Sequence, residues 1–131
     1  MKHESIVVVY DSCQAIAEEI ADKLGAETVS VQSINDRQIK NCQSFVLAVE
    51  FMADGSMTPH WRWVCQTLRG NSLSGKKFAV FVALGNKHNN DAEKICHELR
   101  ECNAQIVGEQ LYAGSPQWNL SNWICSISPN L

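Results

Sequence analysis

The chain has 131 residues, 45% hydrophobic and 19% charged, enough for one domain with a real core and too apolar for wholesale disorder. Its net charge of -3 at pH 7 sets nucleic acid aside as a main partner, because phosphate binding needs clustered Lys and Arg. No stretch approaches the roughly 18 to 20 apolar residues of a membrane span, and Ile6-Val7-Val8-Val9-Tyr10 is too short for a signal peptide, so the expectation is a cytoplasmic protein without membrane contact.

Five strand-like runs alternate with helical patterns. The first strand is Ile6 to Tyr10. The helix after it places Cys13, Ile16, Ala17, Ile20 and Leu24 at the spacing of one buried face. Asp11 and Gln14 have capping-box spacing at its start, and Gly25 is a natural stop. The second strand, Thr28 to Gln32, alternates as an edge strand does. A short helix runs from Asn35 or Asp36 to about Cys42.

The third strand, Ser44 to Val49, is almost continuously apolar, which suits a parallel strand covered on both faces. Thr58-Pro59 then supplies a helix N-cap followed by Pro at the first helical position. Trp61, Val64, Cys65 and Leu68 form the inner stripe of that helix, and Gly70 ends it. Lys76-Lys77, the only adjacent basic pair, reads as the solvated start of the fourth strand, Phe78 to Ala83. The next helix begins at Asn90 or Asp91 and buries Ala92, Ile95, Cys96 and Leu99. The fifth strand, Gln105 to Tyr112, precedes a helix that starts after Ser115-Pro116 and turns Leu120, Trp123, Ile124 and Ile127 inward.

Strict alternation of strand and helix implies an α/β fold of three layers, α/β/α, with a five-stranded parallel sheet and right-handed crossovers. Five strands favour the order 2-1-3-4-5, with the switch point between strands one and three. Ligands in such sheets bind at the carboxyl ends of the strands. The loops after strands one, three and four therefore converge on one crevice. Two of them, Glu50 to Pro59 and Leu84 to Asp91, are long, polar and contain Gly.

The six cysteines, Cys13, Cys42, Cys65, Cys96, Cys102 and Cys125, form no C-x-x-C pair. They read as free thiols in a reducing compartment, several of them on apolar helix positions. No His or Cys spacing suits a zinc site. Cys13, in a first helical turn, has two readings: a reactive thiolate, or a small buried hydrophobe whose ionisation Asp11 disfavours. The C-x-x-x-x-x-R of a low-molecular-weight phosphatase is absent. Trp61 reads as core. Trp63 lies off the apolar stripe beside His60 and Arg62, which suits a contact surface.

With the loops placed, the chain resembles the flavodoxin family over nearly its whole length. Glu50 to Pro59 is similar to the family's second loop, S-T-[YW]-G-x-G-x-x-P. Asp54, Gly55 and Pro59 match; Met52 stands for the aromatic and Ala53 for the Gly. Gly85-Asn86 with Asp91 is similar to the third loop, and His88 lies near the position of a ring-stacking Tyr. The resemblance implies FMN as cofactor. Phe51, Met52, Ala53, Asp54 and Gly55, with Gly85, Asn86, Lys87, His88, Asn89 and Asn90, would hold the isoalloxazine ring. Ser12, Cys13 and Gln14 would hold the phosphate. Redox proteins would be the partners, docking near the exposed ring edge.

The first loop departs from the family. Flavodoxins place S/T-x-T-G-x-T there, whose hydroxyls and N–H groups hold the phosphate. This chain offers only Asp11-Ser12-Cys13-Gln14, shorter by about four residues, and Asp11 brings an opposing charge. Two functions stay open: one-electron transfer through FMN, weakly held, or a flavin-free binding or regulatory module that has lost the phosphate loop. Neither needs bond chemistry of the protein's own. Phe51 also suits the end of a strand, and the Asn residues also suit turns. A receiver domain would need an acidic pair after strand one and a Lys after strand five, and the chain lacks both.

Overall fold

Apolar runs without alternation become the central strands, covered on both faces. The computed structural model describes residues 6–84, 91–113 and 119–131. In chain order it forms β1 (Ile6–Tyr10), α1 (Gln14–Leu24), β2 (Glu27–Ser30), α2 (Asp36–Asn41), β3 (Ser44–Glu50) and α3 (Pro59–Arg69). There follow β4 (Lys77–Leu84), α4 (Asp91–Glu101), β5 (Gln105–Ile106), β6 (Leu111–Tyr112) and α5 (Leu120–Ile127). The sheet order is β2-β1-β3-β4-β5, with β6 also on β4. These named strands pair in parallel. The order expected from the alternation is the observed one.

Period-2 alternation divides the core into two layers. Phe45, Leu47, Val49 and Phe51 face one side, with Trp61, Val64 and Leu68 of α3, Ile95 and Leu99 of α4 and Ile39 of α2. Val46 and Ala48 face the other, with Ala17, Ile20 and Leu24 of α1 and Trp123, Ile124 and Ile127 of α5. Phe45 and Phe78 stack across β3 and β4 with ring centroids 4.7 Å apart. Burying one such large side chain contributes about 1.5–3 kcal/mol. Every residue assigned to the α3 stripe is buried, Trp61 completely.

Three local expectations are corrected. The fifth strand is broken: β5 and β6 both pair with β4, and Gly108 between them takes φ 68°. A Cβ at Gly108 would come within 2.9 Å of Ile127 Cγ2, and the Trp123 indole N–H donates to the Glu109 carbonyl at 2.7 Å. The close approach of α5 therefore breaks the ladder there.

The capping box of Asp11 and Gln14 does not form. Cys13 is the N-cap of α1 without a side-chain bond, because Asp11 faces His60 and Gln14 donates to Glu18 on its own helix. A complete capping box does close the start of α2, between Asn35 and Gln38. Lys76 is buried rather than solvated, and its ammonium donates to the carbonyls of Lys40 at 3.1 Å and Cys42 at 2.6 Å. Ser115-Pro116, read as the start of the last helix, lies outside the described residues; Asn119 caps α5 by accepting from the Asn122 N–H.

Candidate functional site

The carboxyl ends of β1 and β3 carry the first and second loops, and β4 ends beside β3 at Leu84. The loop after β3 is held by its own bonds. The Met52 N–H donates to the Ser56 carbonyl at 2.7 Å and the Gly55 N–H to the Met52 carbonyl at 2.9 Å. Gly55 turns at φ 87°, a conformation that side chains resist. Asp54 Oδ1 accepts from the Ser56 N–H and hydroxyl at 3.0 and 2.6 Å. Those two donors hold the Asp54 carboxyl below its ordinary value. From α4, the Lys94 ammonium donates to the Gly55 carbonyl at 3.0 Å. Phe51 bridges Met57 and lies in the core, 1% exposed, so it supports the loop from beneath.

This arch presents Met52, Ala53 and Asp54 to solvent. Met52 is 41% exposed, and Leu84 at the end of the neighbouring β4 is 57% exposed. The two ends are joined: the Phe51 N–H donates to the Leu84 carbonyl at 2.6 Å. Among the described residues only Trp63 is another exposed large hydrophobe. Two of the three therefore sit at the adjoining ends of β3 and β4. Gly85, Asn86, Lys87, His88, Asn89 and Asn90 lie outside the described residues. The first turn of α4 is tied down by the Tyr112 hydroxyl, which accepts from the Ala92 N–H at 2.9 Å.

The first loop is arranged differently. Glu50, the last residue of β3, is 7% exposed. It continues the alternation of Val46 and Ala48 and so faces the α1 side of the sheet. Its carboxylate accepts from the Ser12 N–H at 3.0 Å and the Ser12 hydroxyl at 2.5 Å. The register of β3 on β4 shifts between Val49 and Glu50, an irregularity common beside functional sites. One residue away, Asp11 lies 3.2 Å from His60 Nδ1 at the head of α3. The Gln14 amide is spent on Glu18 at 3.0 Å.

These residues do not fit a flavin phosphate. The two donors of Ser12 already hold a carboxylate, and Glu50 and Asp11 would both repel a dianion. The same field acts on Cys13, whose thiol is pushed up to about 11, first by burial and then by the Glu50 charge. Of the two readings of Cys13, this raised value favours the small, partly buried thiol over the reactive thiolate. None of the six cysteines is in a disulfide. No group of three metal-ligating side chains occurs among the described residues, and no described helix is long and apolar enough to cross a membrane.

Sequence reasoning missed Glu50. The available signal was its place in the second-loop motif, where Glu stands at the position the motif opens with Ser.

A family model described as Flavodoxin matches residues 9–121. Among solved structures, flavodoxin 2 from Bacillus cereus is similar with a TM-score of 0.81 and 20% identity, over 97% of this chain and 99% of that one. A flavodoxin from Streptococcus pneumonia TIGR4 gives a TM-score of 0.77 at 13% identity, over 96% and 97%. A Fusobacterium nucleatum flavodoxin mutant bound to flavin mononucleotide gives 0.76 at 14% identity, over 96% of each chain. Among curated proteins no sequence matches this chain.

Proposed function

The chain belongs to the flavodoxin family, and from that premise we propose that it is an electron carrier that takes flavin chiefly by the ring, FMN included but weakly held. The observation that carries this reading is the exposure of Met52 and Leu84 on adjoining strand ends, 41% and 57%, above a loop fixed by Asp54, Gly55 and Lys94. A thioether and an aliphatic side chain make favourable contact with an aromatic plane. Met52, Ala53, Asp54 and Gly55 would line the ring, Gly85 to Asn90 would add the contacts expected of the family's third loop, and Phe51 would hold the arch. Ser12, Cys13 and Gln14 would add little to phosphate binding, since their side chains are occupied or, for Cys13, partly buried. Flavin would supply one-electron chemistry; the protein would position the ring and exclude water from it. The chain would act as a single domain, residues 1–131, in the cytoplasm, with redox proteins as partners.

A second reading is favoured by the Ser12–Glu50 bonds: a flavin-free member of the family acting as a binding or regulatory module. An absorbance spectrum of the purified protein, followed by titration with FMN, separates the two. Bands at roughly 375 and 450 nm, as any bound flavin gives, or saturable quenching of FMN fluorescence, support the carrier. A colourless protein that leaves FMN unquenched at millimolar protein supports the module.

A further inference from the structure

We propose that Glu50 is this chain's own replacement for a ligand phosphate, and that the crevice therefore selects flavins that carry no phosphate over FMN. The proposal rests on the flavin reading above and names the form of flavin that the site takes.

The seat in question lies at the switch point, where the start of α1 meets the end of β3. A helix start offers unpaired N–H groups and a positive dipole end, which together favour an anion. Here Ser12, the residue just before the N-cap of α1, already holds a carboxylate that is covalently part of the protein. Glu50 is nearly buried and binds Ser12 through both carboxylate oxygens, one to the N–H at 3.0 Å and one to the hydroxyl at 2.5 Å. The β-branched and small residues before it on the same face, Val46 and Ala48, are fully buried, so the carboxylate is delivered from a packed strand rather than a mobile loop. The neighbouring Asp11 carboxylate adds a second negative charge, engaged by His60 at 3.2 Å. The Cys13 thiol carries the electrostatic mark of this arrangement, raised in part by Glu50 and by Asp11.

A phosphate seated on Ser12 would have to displace a buried carboxylate from two good donors, and one on the first turn of α1 would lie beside that carboxylate. Each loss is unfavourable: the donors gain nothing by exchange, and the displaced charge is either left without its partners or brought close to a dianion. A ribityl chain ending in a hydroxyl has neither difficulty. Its terminal O–H can donate to Glu50, which has acceptor capacity beyond the two bonds it makes. Riboflavin is the simplest such ligand, and the ring contacts at Met52 and Leu84 are common to both flavins.

The test is a fluorescence-quenching titration of the full chain and of Glu50→Gln and Glu50→Ser with riboflavin and with FMN. Far-UV dichroism and Tm identify any variant that fails to fold, and Glu50→Gln keeps the size and one acceptor of the native side chain. The expected result is a wild-type protein that binds riboflavin at least as tightly as FMN. In both variants the ratio should move towards FMN by about tenfold or more, as removal of one opposing charge implies. A wild-type preference for FMN of tenfold or more overturns the proposal while leaving the flavin reading intact. So does a ratio that neither variant changes.

If none of the three proteins binds either flavin, the flavin reading and the selection fall together. Inorganic phosphate then tests the occupied seat by itself. A Tm raised by phosphate in Glu50→Ser but not in the wild type supports the role of Glu50. No response in either overturns it.

Discussion

His60 Nδ1, at the head of α3, lies 3.2 Å from both carboxylate oxygens of Asp11 in the turn after β1. With the Ser12–Glu50 bonds, this contact gives the first and second loops two polar ties across the switch point. The side chains are 52% and 22% exposed, and exposed ion pairs contribute little. His60→Ala should therefore change the free energy of unfolding by less than about 0.5 kcal/mol, as read from urea denaturation at pH 7. A loss of several kcal/mol would show that the tie holds the fold itself.

Lys76 makes the opposite prediction. Its buried ammonium satisfies the carbonyls of Lys40 and Cys42, which lie at the end of α2 and the entry to β3. Lys76→Met keeps the apolar stem but leaves those carbonyls without their cation. The expected cost is about 1–3 kcal/mol, measured as a shift in urea midpoint. A neutral outcome would mean that water takes the place of the ammonium.

Much of this fold is legible in the sequence because it is set locally. The unbroken apolar run of β3, the Thr58-Pro59 start of α3 and the start of α2 at Asn35 or Asp36 are written in adjacent residues, and each is found. The failures share one cause, a partner far along the chain. Asp11 caps nothing because His60 is 49 residues away. Lys76 is buried because α2 ends beside it. The fifth strand breaks because α5 presses Ile127 on Gly108. Glu50 is the same case at the candidate site: its partner is Ser12, 38 residues earlier, and no periodicity connects them. Met52 to Gly55, by contrast, lie together because one short loop carries them all.

The buried thiols set an alkaline limit. Burial raises Cys13 and Cys96 from 9.0 to about 11 and Cys65 to about 12. A thiol with a higher pKa in the folded chain than in the unfolded one keeps its proton longer in the fold. The associated stability is whole below about pH 9 and declines as pH rises towards 11 and 12. Urea midpoints should fall steadily above about pH 9, and Cys65→Ala should weaken that dependence. Midpoints that hold constant to about pH 11 would contradict the assignment.

Met52 separates binding from stability. Its side chain is 41% exposed, so Met52→Ala should leave Tm within a degree or two of the wild type, about the effect of a surface change. Loss of its contact with a flavin ring should weaken flavin affinity by about tenfold. Equal affinity in wild type and variant would remove Met52 from the site.

The most direct measurement is an amide NMR titration of the isotopically labelled chain with riboflavin and with FMN. The account predicts shifts concentrated at Met52, Ala53, Asp54, Gly55 and Leu84, with Ser12 responding more to riboflavin than to FMN. An unchanged spectrum with either flavin, or shifts centred away from the carboxyl ends of β3 and β4, would contradict it.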